Sequence, residues 1–235
     1  MMARSLPRHA CTFLVLSALL VLLSACGTRS YQLKNVAKSD VDLVADAHFR
    51  EVDDLLRTLM IKLYKRNPRE LATRHGATIK GRLMEVFAPY PMPLPAELGG
   101  RSSIGAIDLC FDPGFSGDRV FALVAGLRGM MLEAYDNRRE QFFFDSLDEQ
   151  KLYKSARNIE IVVWRLSNRL NAEGTPFLRT NSLPGEEANL SFERLFGKLI
   201  ATQDMMARVT ADRGKRTINK VVHSIASSAL FPIGL

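Results

Sequence analysis

The sequence predicts a mainly α fold: an antiparallel helical bundle of about six helices with one long irregular Pro/Gly-rich connection. Three observations predict it. Apolar residues recur every three or four positions over several long stretches. Helix-capping residues stand at the head of those stretches, at Ser39, Asp118, Ser146 and Ser191. Hydrophobic content of 47% with 24% charge is that of a chain able to bury a core. No self-similarity near 34 residues supports a tetratricopeptide array.

The amino terminus reads differently from the rest. Met1 to Ala10 hold Arg4, Arg8 and His9 and no carboxylate, and residues 11–23 are almost wholly apolar. Those 13 residues would make a helix of about 20 Å, too short for a hydrocarbon core of about 30 Å. Leu23-Ser24-Ala25-Cys26 follows directly. Positive head, short apolar run and small residues before a cysteine together resemble a bacterial lipoprotein signal with its lipobox. The resemblance implies cleavage after Ala25 and a diacylglyceryl group on the Cys26 sulfur. Each buried CH₂ of the acyl chains would contribute about 0.8 kcal/mol to membrane attachment. It also implies that Gly27, where an Asp would favour retention at the inner membrane, directs the protein to the outer membrane, facing the periplasm.

The expected organisation is therefore a signal over 1–25, a lipidated tether over 26–39 and one helical domain over 40–235. Residues 27–39 show no sustained period, and such a coil spans about 20 Å r.m.s. and at most about 45 Å. Two of the 32 Lys and Arg lie in residues 1–25 and none of the 25 Asp and Glu does, so residues 26–235 carry a net charge of +5. That mild excess permits contact with an anionic surface without requiring it. With Cys11 in the signal and Cys26 acylated, Cys110 stands alone and no intramolecular disulfide is expected.

The first expected helix runs from Ser39-Asp40-Val41-Asp42 to about Lys65. Its seam is Val44, His48, Val52, Leu55, Leu59 and Leu63, widened by Leu56 and Met60. Asn67-Pro68 starts a new helix, because proline fits the first helical position. A further helix is expected over Thr78 to Phe87. Prolines at 89, 91, 93 and 95 forbid helix, and Tyr90, Met92 and Leu94 between them are expected to cover the bundle. Residues 96–117, rich in Gly and Ser, read as an irregular crossing segment with a short strand at Ile104 to Phe111. Asp118 caps a helix through Tyr135, with Val120, Val124, Leu127, Met131 and Ala134 as its seam. Phe142, Phe143 and Phe144 are expected to seat the chain between two helices. Ser146-Leu147-Asp148-Glu149 matches a capping box and opens the most regular helix, with Leu152, Ala156, Ile159, Val163, Leu166 and Leu170. A polar loop at 171–190 leads to a helix from Ser191 to about Ala211, and 214–229 gives a last one.

Candidate chemistry is sparse. Asp108, Asp112 and Asp118 flank a Gly/Pro-rich loop, but their spacing is not that of an EF-hand, and Asp-Pro-Gly is ordinary turn chemistry. Gly114-Phe115-Ser116-Gly117-Asp118 lacks the final glycine of a nucleophile elbow. Cys110, with Ile107, Leu109 and Phe111 beside it, reads as a buried small hydrophobe rather than a nucleophile served by His48, His75 or His223. His48 lies on an apolar stripe, where a core histidine bonded to a carbonyl is the commoner outcome. No catalytic set, cofactor motif, metal site or nucleic-acid signature is legible. Arg213, Lys215, Arg216 and Lys220 form a basic patch suited to lipid headgroups or an acidic partner, and Arg138-Arg139 make a second pair.

These features favour a membrane-anchored, non-catalytic accessory, scaffold or interaction protein of the bacterial cell envelope, with an envelope protein as partner. Two other classes remain at this point. One is an envelope enzyme, such as a cell-wall hydrolase, with its site in residues 96–118. The other is a periplasmic carrier holding an apolar ligand between helices.

Overall fold

The computed structural model describes residues 40–88, 96–137, 147–182, 185–214, 218 and 229–233. Outside them lie the signal, Cys26 and the tether, the proline-rich run, Arg138-Arg139, Phe142 to Phe144, and Lys215, Arg216 and Lys220 with nearly all of the helix expected over 214–229. The described residues hold seven α-helices and no strand. These are α1 (Asp40–Arg66), α2 (Pro68–Ala72), α3 (Ile79–Val86), α4 (Ser103–Cys110), α5 (Arg119–Ala134), α6 (Glu149–Asn168) and α7 (Ser191–Gly214). A 3₁₀ turn, Ala96–Leu98, precedes α4.

Long-range hydrogen bonds fix the helix directions. α1 runs antiparallel to α5, because Tyr64 meets Asp118 while His48 meets Tyr135 at the other end. It also runs antiparallel to α7, with Lys62 at Ser191 and His48 at Thr202. Ser155 on α6 bonds Gln203 on α7, while Leu166 and Phe192 share a cleft further along, so this pair is antiparallel too. The four long helices form an up-down-up-down bundle. Among the described residues no helix is long and apolar enough to cross a membrane.

The predicted seams hold except at Val44 and Leu170, which are exposed, and at Val163, which is half-buried. In α1, His48, Val52, Leu55, Leu56, Leu59, Met60 and Leu63 are buried, but Val44 is exposed. In α6, Leu152, Ala156, Ile159 and Leu166 are buried, while Leu170 lies beyond the helix and is exposed. α5 is buried on nearly every side, since α4 covers the flank that the other long helices leave open.

The strand expected at Ile104 to Phe111 is not formed, because those residues belong to α4 and its C-cap. Their apolar run suits either structure in isolation. Packing decides it: α4 lies so close to α5 that a Cβ on Gly126 would sit 2.6 Å from the Ile107 amide nitrogen. Only a side chain without carbon permits that approach. Within residues 96–117, α4 and the 3₁₀ turn thus stand among turns and loop. Arg119 braces this segment, its guanidinium donating to the Cys110 and Asp112 carbonyls at 2.9 Å and to that of Phe115 at 2.8 Å. The first satisfies a carbonyl at the end of α4, and the other two tie down the turn that follows it.

Asp118 caps α5 as predicted, accepting from the Phe121 amide, and Thr78, expected as the start of a helix, is the cap of α3 and accepts from the Gly81 amide. α6 starts two residues later than the capping box suggests, with Asp148 rather than Ser146 as its cap. Asn67 makes no side-chain cap bond to α2. It donates to the Arg179 carbonyl at 2.9 Å and accepts from the Arg179 amide at 2.8 Å. The 171–190 loop is thereby clasped to the end of α1.

Candidate functional site

The densest polar constellation in the described residues lies where α1, α3 and the 3₁₀ turn meet the start of α5. Arg82 projects from the buried side of α3, beside Val86. Its Nε and Nη2 donate to Asp118 Oδ2 at 3.2 and 3.1 Å, and its Nη1 donates to Glu85 at 2.7 Å. Nη2 also donates to Glu97 of the 3₁₀ turn. The guanidinium lies over the Phe121 ring, 3.6 Å from its centroid. Burial disfavours this cation, but the bond to Glu97 and the charge of Asp118 outweigh that and hold its proton more firmly than in free arginine.

Asp118 is 1% exposed and accepts four hydrogen bonds. Besides Arg82 it accepts from the Tyr64 hydroxyl at 2.7 Å and, through Oδ1, from the Phe121 amide at 2.8 Å. Burial, then the neighbouring carboxylate, pushes the Tyr64 phenol far up, so it stays a donor. Glu70 accepts from the Arg119 amide at 2.8 Å, and burial raises its carboxyl above the usual range. Further along the bundle, Arg128 is fully buried. It donates to Asp53 at 3.0 Å and to the Val86 carbonyl at 2.9 Å.

A general base must reach a substrate proton, and Asp118 is 1% exposed with its charge paired to Arg82. The cluster ties four segments together.

The residues singled out from sequence do not converge. Asp108 accepts from Arg165 at 2.7 Å, Asp112 closes a turn by accepting from the Gly114 amide at 2.9 Å, and Asp118 is the buried cap. Among the described residues no group of three His, Cys, Asp or Glu is placed to hold a metal ion. Cys110 is fully buried, and that burial drives its thiol pKa well above the ordinary value, away from the nucleophilic thiolate. His48 is the carbonyl-bonded core histidine that its position predicts. Its Nε2 donates to the Thr202 carbonyl at 2.6 Å, and its Nδ1 accepts from the Tyr135 hydroxyl. Burial lowers its pKa, with the Thr202 bond offsetting part of the effect. Arg213 is exposed near the end of α7. Sequence reasoning missed Arg82 and Arg128 altogether. The available signal was a charge standing at a core position, between Ile79 and Val86 in one helix and between Val124 and Met131 in the other.

A cleft between α6, α7 and the 171–190 loop is lined by Leu166, Thr180, Phe192 and Phe196 among others. It encloses about 10 Å³, room for about one water and not for an apolar ligand. No protein-family model, curated protein or solved structure matches this chain.

Proposed function

We propose that the chain is a membrane-anchored lipoprotein of the bacterial cell envelope, held by acyl chains on Cys26 and acting as a non-catalytic accessory or interaction protein. The observation that carries this reading is Leu23-Ser24-Ala25-Cys26, placed directly after a basic head and a 13-residue apolar run. Gly27 favours the outer membrane, facing the periplasm. The pairing of the buried polar groups supports a binding role over catalysis, since Asp118, Arg82 and His48 each bond a neighbouring helix. Arg213, Lys215, Arg216 and Lys220 would add a headgroup or acidic-partner contact next to the anchor's membrane.

The test is mass spectrometry of the protein purified from native membranes. A mature chain beginning at an acylated Cys26 is expected, and Cys26→Ser should accumulate as uncleaved precursor. An intact leader, or an unmodified thiol on a cleaved Cys26, would overturn the anchor. Cross-linking in intact envelopes then identifies the partner.

A further inference from the structure

Residues 62–82 carry seven Lys and Arg against one acid, Glu70. The other residues of 26–235 hold 23 basic and 24 acidic side chains, so the whole positive excess lies in this one segment. It closes the end of the bundle where α1 finishes and α5 starts, since Glu70 accepts from the Arg119 amide and Arg82 bonds Asp118. Those bonds turn Glu70 and Arg82 inward. Arg66 pairs with Glu186, and Arg74 with Glu85 at 3.2 Å. Lys65, Arg69 and Lys80 are exposed and have no counter-ion among the described residues. Arg179, also exposed, joins them, because its backbone is clasped to Asn67, between Lys65 and Arg69 in sequence. The same loop brings Glu173 and Glu187, which offset part of that charge.

Like charges gathered at one end of a domain raise the local potential and draw an anionic partner. Two observations narrow which one. No large hydrophobic side chain is exposed between Lys62 and Arg82, and Met84 beyond them is a single one. A folded protein partner would need an apolar or aromatic centre to its contact. The chain also enters the domain at Asp40, at the opposite end of α1, 27 residues and about 40 Å away. On the anchored reading the membrane connection is made at that far end, so the headgroups of that membrane are the less accessible anion. A hydrated polymer bearing carboxylates, the chemistry of the bacterial cell wall, meets both conditions. Guanidinium and ammonium groups bind carboxylates through charge-assisted hydrogen bonds, without an apolar seat.

We propose that the basic end formed by Lys65, Arg69, Lys80 and Arg179 binds a carboxylate-bearing cell-wall polymer. This deepens the reading of the chain as an envelope interaction protein and rests on it for the choice of polymer. The contact itself needs no acyl chain.

The probe is purified, protein-free cell-wall sacculi, pelleted with the full chain in detergent. Wild type should co-sediment in low salt and be released in about 1 M salt, where charges are screened beyond about 3 Å. Lys65→Glu, Arg69→Glu and Lys80→Glu together should bind roughly tenfold more weakly or worse, with an unchanged melting temperature. Arg50→Glu, Lys198→Glu and Arg208→Glu together make the same change of charge at exposed positions further along α1 and α7, and should lose far less. Equal loss in the two triple variants, or no salt-sensitive pelleting of wild type, would overturn the site. Retained pelleting of the first variant, with lost binding to phosphatidylglycerol vesicles or to an acidic protein cross-linked in envelopes, would overturn the assignment to the polymer. Cys26→Ser should pellet as wild type does, so a failed anchor and a failed basic end are read out separately.

Discussion

The Tyr64 hydroxyl donates to Asp118 Oδ2 at 2.7 Å, joining the last turn of α1 to the first turn of α5 through two side chains that are each 1% exposed. Asp118 thus serves as helix cap, as counter-ion to Arg82 and as acceptor for Tyr64. Removing it by Asp118→Ala leaves Arg82 with Glu85 and Glu97 but takes away its fully buried counter-ion, the helix cap and the acceptor of Tyr64, so a loss of about 3–5 kcal/mol is expected. Tyr64→Phe removes one bond and leaves the ion pair, so about 2 kcal/mol is expected. Urea unfolding of the two variants checks both size and order. A smaller loss for Asp118→Ala than for Tyr64→Phe would contradict this account.

His48 gives the protein a pH-dependent stability of known sign. Its folded pKa lies below the unfolded value of 6.5 because burial disfavours the cation. The unfolded chain therefore binds more protons as pH falls below about 6.5, and stability drops there. Glu70 acts oppositely. Its folded pKa lies above 4.5, so the cost of its burial is present at neutral pH and is relieved as pH falls towards 4.5. Thermal unfolding between pH 7.5 and 5 should show a smaller acid loss in His48→Leu than in wild type, and a larger one in Glu70→Gln. A His48→Leu profile parallel to wild type would refute the assignment.

Two helical glycines should respond in opposite directions to the same substitution. In Gly126→Ala the new Cβ would lie 2.6 Å from the Ile107 nitrogen and 2.8 Å from the Ser103 carbonyl oxygen, both backbone atoms. α4 must then move away from α5, and a loss of about 1–3 kcal/mol, the usual range for overpacking, or more, is expected. Gly197 on α7 is exposed, and an added Cβ would meet nothing within 4 Å. Gly197→Ala should stabilise by up to about 1 kcal/mol through helix propensity. Melting temperatures of the pair, measured side by side, test the close helix crossing directly.

What was legible in the sequence were features that act locally. Asp118 announces a helix start because a cap and its target amide lie three residues apart. The seams of α1 and α5 announce their buried faces by spacing alone. Ser146 and Asp148 both fit a cap, and only the bonds of Asp148 to the Gln150 and Lys151 amides distinguish them. Arg82 and Arg128 were illegible for a different reason. Each interrupts an apolar stripe, and the carboxylate that justifies it lies 36 or 75 residues away. The same holds for Ile104 to Phe111, whose helical state depends on glycines of α5 well along the chain.

The three cysteines turn the proposed processing into a count. Cys110 is fully buried, and burial pushes its thiol well up, so a thiol reagent at neutral pH should not reach it in the native protein within minutes. In strong urea it becomes exposed and must react. Cys11 leaves with residues 1–25 if the leader is cleaved, and the Cys26 sulfur is blocked if it carries a diacylglyceryl group. The mature lipoprotein should therefore titrate no thiol when native and one when unfolded. A cleaved chain with a bare Cys26 would show two in urea, and an uncleaved, unmodified one would show three. Ellman titration with and without urea separates these states in a single sample. A fast native thiol that persists when Cys11 and Cys26 are both changed to Ser would show instead that Cys110 is reachable, which its burial opposes.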